Sequence, residues 1–456
     1  MEIRARICDA AINVGTLFLL LVPPYLFGAV TPWPRMLVQV VAVAVFLAWL
    51  WRPRPGKAFL QGSRVVSPRL VKLAVTALLL FAGYVLLQSC PLPGVVTRVL
   101  SPHAAGVRGA EAAGAAPLSV APNRTLADAR LLLCCVGLFA VIAFPTEGQM
   151  SRWRLGAVAV GNGVLLSLLA VGQEVVPSGG KIYWMVPCVR RPFGPFANPS
   201  DFAGYVLMLV PLALAVGIAR GRAGNRDRWL VLGVGAAAAM SVAILLSASR
   251  SAVIVLMTGV LIGHGVIALR LKERRLRLGV YASALLLCLL GAWTLRAGFV
   301  EKVEETGSAW RLRTTIWREA LGLLHDYPVT GTGFGTFEVV FPQERKTLTQ
   351  QLCFTNAEND VLELLIETGA IGTVLMGAFL LAWGIDAARG ARMLRGGYRA
   401  PLIWGGGIGC AAALLHSLFH FSLHIPANAL LFAVCLGFMH AEPRGRVSGG
   451  VRGQGG

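Results

Sequence analysis

Apolar runs about as long as a bilayer is thick recur from one end of the chain to the other, and that repetition leaves few folds open. They cover residues 12–30, 36–51, 73–87, 131–144, 155–175, 199–220, 229–246, 253–269, 278–295 and 370–385, with two more between Arg399 and Met439. Each approaches the roughly 20 residues that a helix needs to cross a membrane. Only 14% of the 456 residues are charged, against about 25% in soluble domains. The expected fold class is an all-α polytopic membrane protein with about 12 transmembrane helices. The first run resembles a signal peptide, but Pro23-Pro24 interrupts it and another run follows at once. It reads as a retained span.

The net charge of +20 does not indicate a nucleic-acid partner. Many basic residues sit in short connectors, as membrane topology requires. Every second connector is basic: Arg52 to Lys72, Arg152 and Arg154, Arg220 to Arg228, Arg270 to Arg277, and Arg389 to Arg399. This alternation predicts cytoplasmic termini and puts residues 176–198, the turn Ser247-Ala248-Ser249-Arg250-Ser251 and the segment 297–369 on the outer side. Of the nine cysteines, five lie inside apolar runs as ordinary packing. Cys90, Cys188 and Cys353 fall outside them and leave room for one disulfide. The spacing resembles no metal site.

The segment from Ala309 to Gly369 stays polar for about sixty residues, far longer than an ordinary connection. Trp310, Ile316, Trp317, Leu321, Leu324, Phe334, Phe337, Val340 and Phe341 give it apolar mass with which to fold. Arg313 and Trp317 are four apart on a predicted helix and share a face. Together they suit an anion with a sugar attached, or else they form a cation–π pair on a solvated helix. Asn356 is a plausible N-cap with acids in the first helical turn, or Glu358 is a general base held at a helix start. Arg250, in a very short turn at the membrane boundary, is either a functional cation or a snorkelling anchor. Asn198-Pro199 is a good cap-plus-first-turn pair. Gly331-Thr332-Gly333-Phe334-Gly335 reads as a turn after a helix, since no strand precedes it. His416, His420 and His424, spaced by four, suggest a metal face, but no carboxylate is nearby in sequence and satisfied or cavity-lining histidines are the plainer reading.

These motifs, taken in order, resemble the O-antigen ligase/polymerase family. The resemblance rests on Gly194 to Tyr205 (GPFANPSDFAGY), on Leu246-Ser247-Ala248-Ser249-Arg250-Ser251, on Arg313-x-x-x-Trp317 followed by Asp326 to Phe337, and on Ile425 to Ala433 (IPANALLFA). It implies a GT-C-like architecture and transfer of a glycan from a polyprenyl diphosphate carrier to a glycan, lipid A core or protein acceptor, in the bacterial inner membrane. It also implies three parts: residues 1–189, with five helices and a periplasmic loop at 89–128; residues 190–440, the ligase-like region with a periplasmic loop at 297–369; and a Gly/Arg-rich cytoplasmic tail at 441–456. Arg250 and Arg313 match two arginines thought to hold the diphosphate. The family's general-base motif, His-Ala-His-Asn-Asp, is here Asn356-Ala357-Glu358-Asn359-Asp360, with glutamate at the second histidine. Ser200-Asp201 likewise stands where Asn-His is common.

The expected function is therefore a metal-independent, inverting glycosyltransferase acting on the periplasmic face without a cofactor. Glu358, Arg313 and Arg250 are its expected catalytic residues, and Arg190, Arg191, Asn198, Trp317 and Asn359 its expected substrate contacts. The alternatives are transport of a lipid-linked or small anionic solute, and an assembly role for an inactive relative.

Overall fold

The computed structural model describes residues 2–53, 67–108, 114–176, 179–188, 191–222, 226–270, 303–344, 354–394 and 399–440, together with Arg274, Leu278, Leu285 and Leu289. The expected span at 278–295, the tail at 441–456, Arg190 and Cys353 therefore lie outside the described residues, the first apart from three positions.

Apolar composition and the proline and polar caps at their starts lay out the helices in sequence order. They are α1 (Glu2–Tyr25), α2 (Pro32–Trp51), α3 (Pro68–Ser89), α4 (Gly94–Leu100), α5 (Pro102–Arg108), α6 (Pro122–Ala143), α7 (Arg152–Val175), α8 (Pro199–Gly221), α9 (Arg226–Leu246), α10 (Arg250–Arg270), α11 (Val303–Asp326), α12 (Phe337–Glu344), α13 (Asp360–Met393), α14 (Arg399–Ser417) and α15 (Pro426–Phe438). Among the described residues, nine helices are long and apolar enough to cross a membrane, and α15 and the first part of α10 are shorter apolar helices. The fold is that of an all-α polytopic membrane protein. The only sheets among the described residues are two short antiparallel pairs, β1 (Leu92–Pro93) with β2 (Ala115–Ala116) and β3 (Lys181–Ile182) with β4 (Val186–Pro187).

The bundle is arranged around α8, of whose apolar window 78% is buried; it packs on α7, α9 and α14. Its start is fixed as the sequence predicts. Asn198 caps it, accepting from the Ser200 amide at 2.9 Å, and Pro199 occupies the first turn. A left-handed kink at Gly369 divides α13 into an acidic beginning and the apolar span expected at 370–385.

The polar segment does not fold alone. Ile316, Ala320 and Leu323 of α11, Tyr327 just past its end, Phe337, Val340 and Phe341 of α12, Ala357 and Ile366 form a second core, and Ala104 of α5 closes it. The loop after α3, expected at 89–128, thus packs against this core through Ala104 and Val120. Trp310 and Leu321, expected inside, remain half exposed. Cys90 and Cys188 are free thiols, so the anticipated disulfide does not join these two.

The glycine-rich turn joins this core to the bundle. Gln88, fully buried near the end of α3, donates to the carbonyls of Thr330 (2.8 Å) and Glu367 (3.0 Å) and accepts from the Phe334 amide (3.1 Å). The Tyr84 hydroxyl donates to the Thr330 carbonyl at 2.6 Å. Gly331 has φ +68, and a Cβ there would lie 2.4 Å from the Glu367 carbonyl. Glycine is needed both for the backbone and for the approach. Replacing Gln88 by alanine strands buried carbonyls, each at a cost of about 1–3 kcal/mol. Gln88→Ala is expected to lower the thermal midpoint of the detergent-purified protein by several degrees; an unchanged midpoint would show that the strap does not carry the load assigned to it.

Candidate active site

Four segments far apart in sequence meet where α8 begins and α14 ends: the α8 start, the turn 418–425, residues 356–363 entering α13, and α11. Arg313, on α11, donates through Nη2 to Glu358 Oε2 at 3.1 Å. One turn further along, the Trp317 indole donates to the Ala357 carbonyl at 2.8 Å. The predicted shared face of Arg313 and Trp317 is real, but both side chains reach the segment carrying Glu358. Trp317 also lies against Trp310 and Phe419, with ring centroids 5.7 and 6.5 Å away. An aromatic edge therefore borders the ion pair.

Glu358 sits just before the helix, with φ +55, a conformation uncommon outside glycine. The N-cap of α13 is Asn359, not Asn356. Its Oδ1 accepts from the amides of Val361 and Leu362, both at 3.0 Å. The cap falls three residues later than predicted because Asn356 is engaged elsewhere, donating to Glu363 at 3.2 Å. Asn359, expected to contact substrate, thus commits its side-chain oxygen to the helix start.

The histidines share no helical face. The helix ends at Ser417, leaving His416 on α14, His420 in the turn and His424 in a short 3-10 segment, Ser422–His424. Among the described residues, no group of three or more His, Cys, Asp or Glu side chains is arranged to hold a metal ion. Two of the histidines are paired with carboxylates distant in sequence. His420 is 2.6 Å from Asp201 through Nε2 and 3.6 Å from Glu358 Oε2 through Nδ1. His424 is 2.6 Å from Asp360 and 3.2 Å from Glu363. Burial alone pulls both imidazoles toward the neutral form. Carboxylate neighbours outweigh it, lifting His420 to about 9 through Asp201 and Glu358 and His424 well above its ordinary value through Glu363 and Asp360.

The turn approaches α8 closely because Gly204 has no side chain; a Cβ there would meet Ser422 Oγ at 2.2 Å. Asn428, at the start of α15, donates to the Asp201 carbonyl at 3.0 Å and to Ser422 Oγ at 2.9 Å. Arg250 opens α10 and is exposed. Its neighbour Ser249 donates to Ser200 Oγ at 3.0 Å, which brings the short turn to the same α8 start. Arg191 is ion-paired with Glu174 at 2.8 Å, at the end of α7. Sequence reasoning singled out His420 and His424 as a metal face or, more plainly, as satisfied or cavity-lining histidines, but it missed their carboxylate partners Asp201, Asp360 and Glu363, since those pairings span tens to hundreds of residues. The one available signal was the unusual Ser200-Asp201 in a motif where Asn-His is common.

Fold and site together define a polytopic membrane protein with a charged, aromatic-edged cluster of side chains at one end of its helices. The sequence pattern of the family described as O-antigen ligase matches residues 235–377, so that this segment is similar to the O-antigen ligase family. The matched stretch contains Arg250, Arg313, Trp317 and Glu358; Asp201 and His420 lie outside it. No curated protein matches the chain.

The His424 pairs carry a pH dependence with a definite sign. A raised folded-state value gives stability that is fully present below the unfolded value, about 6.5, and is lost as pH rises through the folded one. His424→Gln is expected to destabilise by about 2 kcal/mol near neutral pH. In thermal melts the gap to wild type should close as pH climbs past the folded-state value; a gap that widens with pH would contradict the assignment.

Proposed function

We propose that this chain moves a glycan from a polyprenyl diphosphate carrier to an acceptor hydroxyl, on the periplasmic face of a bacterial inner membrane. The observation that carries this reading is the contact of Arg313 with Glu358 beside Trp317, inside the segment that matches the O-antigen ligase family. The basic residues Arg152, Arg220, Arg389 and Arg399 lie at the ends of α7, α8, α13 and α14 away from the site. The positive-inside tendency makes that end cytoplasmic, along with both termini, and the site end periplasmic.

In this reading Arg313 and Arg250 hold the diphosphate and stabilise the charge that builds on it, a role suited to guanidinium groups at an interface. Glu358 takes the proton of the acceptor hydroxyl as its oxygen bonds to the anomeric carbon. The carbon–oxygen bond to the diphosphate breaks on the opposite face, its electron pair leaving with the carrier, so the anomeric configuration inverts. The positive charge needed comes from the two arginines, without a metal or cofactor. Trp317 and Phe419 offer apolar surface to the first sugar or to the head of the lipid. Arg191 approaches the donor from the segment before α8, and Arg190, which lies outside the described residues, is proposed as a substrate contact from its place in the sequence alone. The acceptor is a growing glycan, a lipid A core or a protein. The gathering of these groups at one end, not at mid-membrane, does not favour transport.

The test is a glycan-profile gel of cell envelopes from a deletion strain complemented with wild type, Arg313→Ala or Glu358→Gln at matched expression. Each variant is expected to lower transfer by at least about a hundredfold, the size of a lost base or oxyanion partner. Carrier-linked polymer accumulating in the deletion strain would specify a ligase, and unextended single repeats a polymerase. Full transfer by both variants would remove Arg313 and Glu358 from the mechanism.

A further inference from the structure

Asp201 and His420 belong to neither the proposed diphosphate clamp nor the matched family segment, yet they are among the most enclosed charged groups near the site. The His420 side chain is 2% exposed and that of Asp201 9%. Enclosing ionisable groups rarely adds net stability relative to apolar packing of the same shape. Their arrangement is also directional. Asp201 is fixed by the Asn198 cap, by the Asn428 bond to its carbonyl and by its neighbour Ser200, which is tied to Ser249. It holds one ring nitrogen of His420 at 2.6 Å, and the other ring nitrogen faces Glu358 Oε2 at 3.6 Å. Arg313 takes the same oxygen from α11.

We propose that His420, anchored on Asp201, is a positioning residue for Glu358: with Arg313 it fixes the orientation of a carboxylate held in a left-handed backbone, and it links that orientation to the start of α8. This rests on the proposed role of Glu358 as the base. Glu358 lies in a segment preceding a helix, where a side chain has more freedom than on a helix face. Productive proton transfer needs hydrogen-bond geometry, and two cations on one oxygen from two different elements remove most of that freedom. Asp201 and His420 stand to Glu358 as an orienting group and its intermediary, and neither touches substrate.

The groups around His420 determine when it acts. Asp201 on α8 and Glu358 before α13 favour its charged form, while His416 on α14, 5.4 Å away ring to ring, is a second imidazole beside it. Arg313 on α11 meets it through Glu358, and His424, four residues on, is occupied by Asp360 and Glu363. The balance keeps His420 charged up to a pH of about 9. Above that Glu358 loses the second cation, and transfer falls on the alkaline side.

The test uses washed envelope membranes of the deletion strain carrying the full-length chain, which contain their own glycan donor and acceptor. They are incubated from about pH 6 to about pH 10, and transferred glycan is measured per unit of folded protein. Wild-type rate is expected to hold to about pH 8 and to halve near pH 9, where His420 titrates. Asp201→Asn keeps the shape but removes the anchor's charge, and should move the alkaline limb down by at least about one unit. His420→Gln should lose at least about tenfold of the neutral rate together with that limb. If His420→Gln does not fold, the Asp201→Asn profile decides alone. Wild-type rates and an unshifted limb in Asp201→Asn, with Glu358→Gln inactive, would overturn the positioning role and leave the proposed function standing. Full activity of Glu358→Gln would overturn both.

Discussion

Charge neutralisation at the helix ends is the constraint that organises this molecule. Asp201, Glu358, Asp360 and Glu363 are brought together from two distant parts of the chain, three of them buried and Glu358 partly so. Each needs a donor, because an unpartnered charge in such surroundings costs several kcal/mol. The donors are His420, His424 and Arg313, together with backbone amides such as Leu423 to Asp360 and Ala357 to Glu363, each at 3.0 Å. The turn 418–425 is therefore a charge connector: it leaves α14, meets Asp201, then Glu358, then Asp360 and Glu363, and enters α15 at Pro426. The last helix, the central helix and the beginning of α13 cannot be placed independently of one another.

A second set of bonds makes that arrangement stiff from the other side. The strap through Gly331 runs under the carbonyls of Ile366 and Glu367, which accept from the amides of Thr332 and Gly333 at 3.0 and 2.9 Å. The Val120 amide then bonds the Thr332 carbonyl at 2.8 Å, tying in the loop after α3. Arg124 of α6 pairs with Glu338 of α12. Glu358 is thus held within a cap that is itself bonded to α3 and α6. Proximity effects in catalysis depend on such stiffness, since small displacements of a reacting group are costly.

Most of the bundle was legible in the sequence because its signals are local. Apolar run length marked most of the described spans, and Asn198-Pro199 marked the start of α8 to the residue. The shared helical face of Arg313 and Trp317 was also legible from their spacing of four. What was not legible depended on long-range pairing. Nothing near His420 in sequence announces Asp201, 219 residues away, and three histidines at intervals of four resembled a helical face only if the helix continued past Ser417. The cap of α13 was misplaced for a related reason. Asn356 and Asn359 are equally good caps by residue type, and the choice falls to Asn359 because Glu363 claims Asn356. The loop after α3 lacked the apolar periodicity of a packing element, yet Ala104 and a few backbone bonds suffice to dock it.

The left-handed backbone at Glu358 limits which sequences can occupy this site. Valine, isoleucine and threonine are disfavoured there by their branched Cβ, while histidine and asparagine are better tolerated. A histidine at 358, however, would stand beside Arg313 and a charged His420, three cations where there is now one carboxylate between two. Its imidazole would be driven neutral, or His420 would have to surrender its proton. Exchanges at 201, 358 and 420 are thus electrostatically coupled: exchanging the glutamate at 358 for histidine would require the charge around it to be revised in concert, since a single-position swap would leave three cations without the carboxylate that now separates two of them.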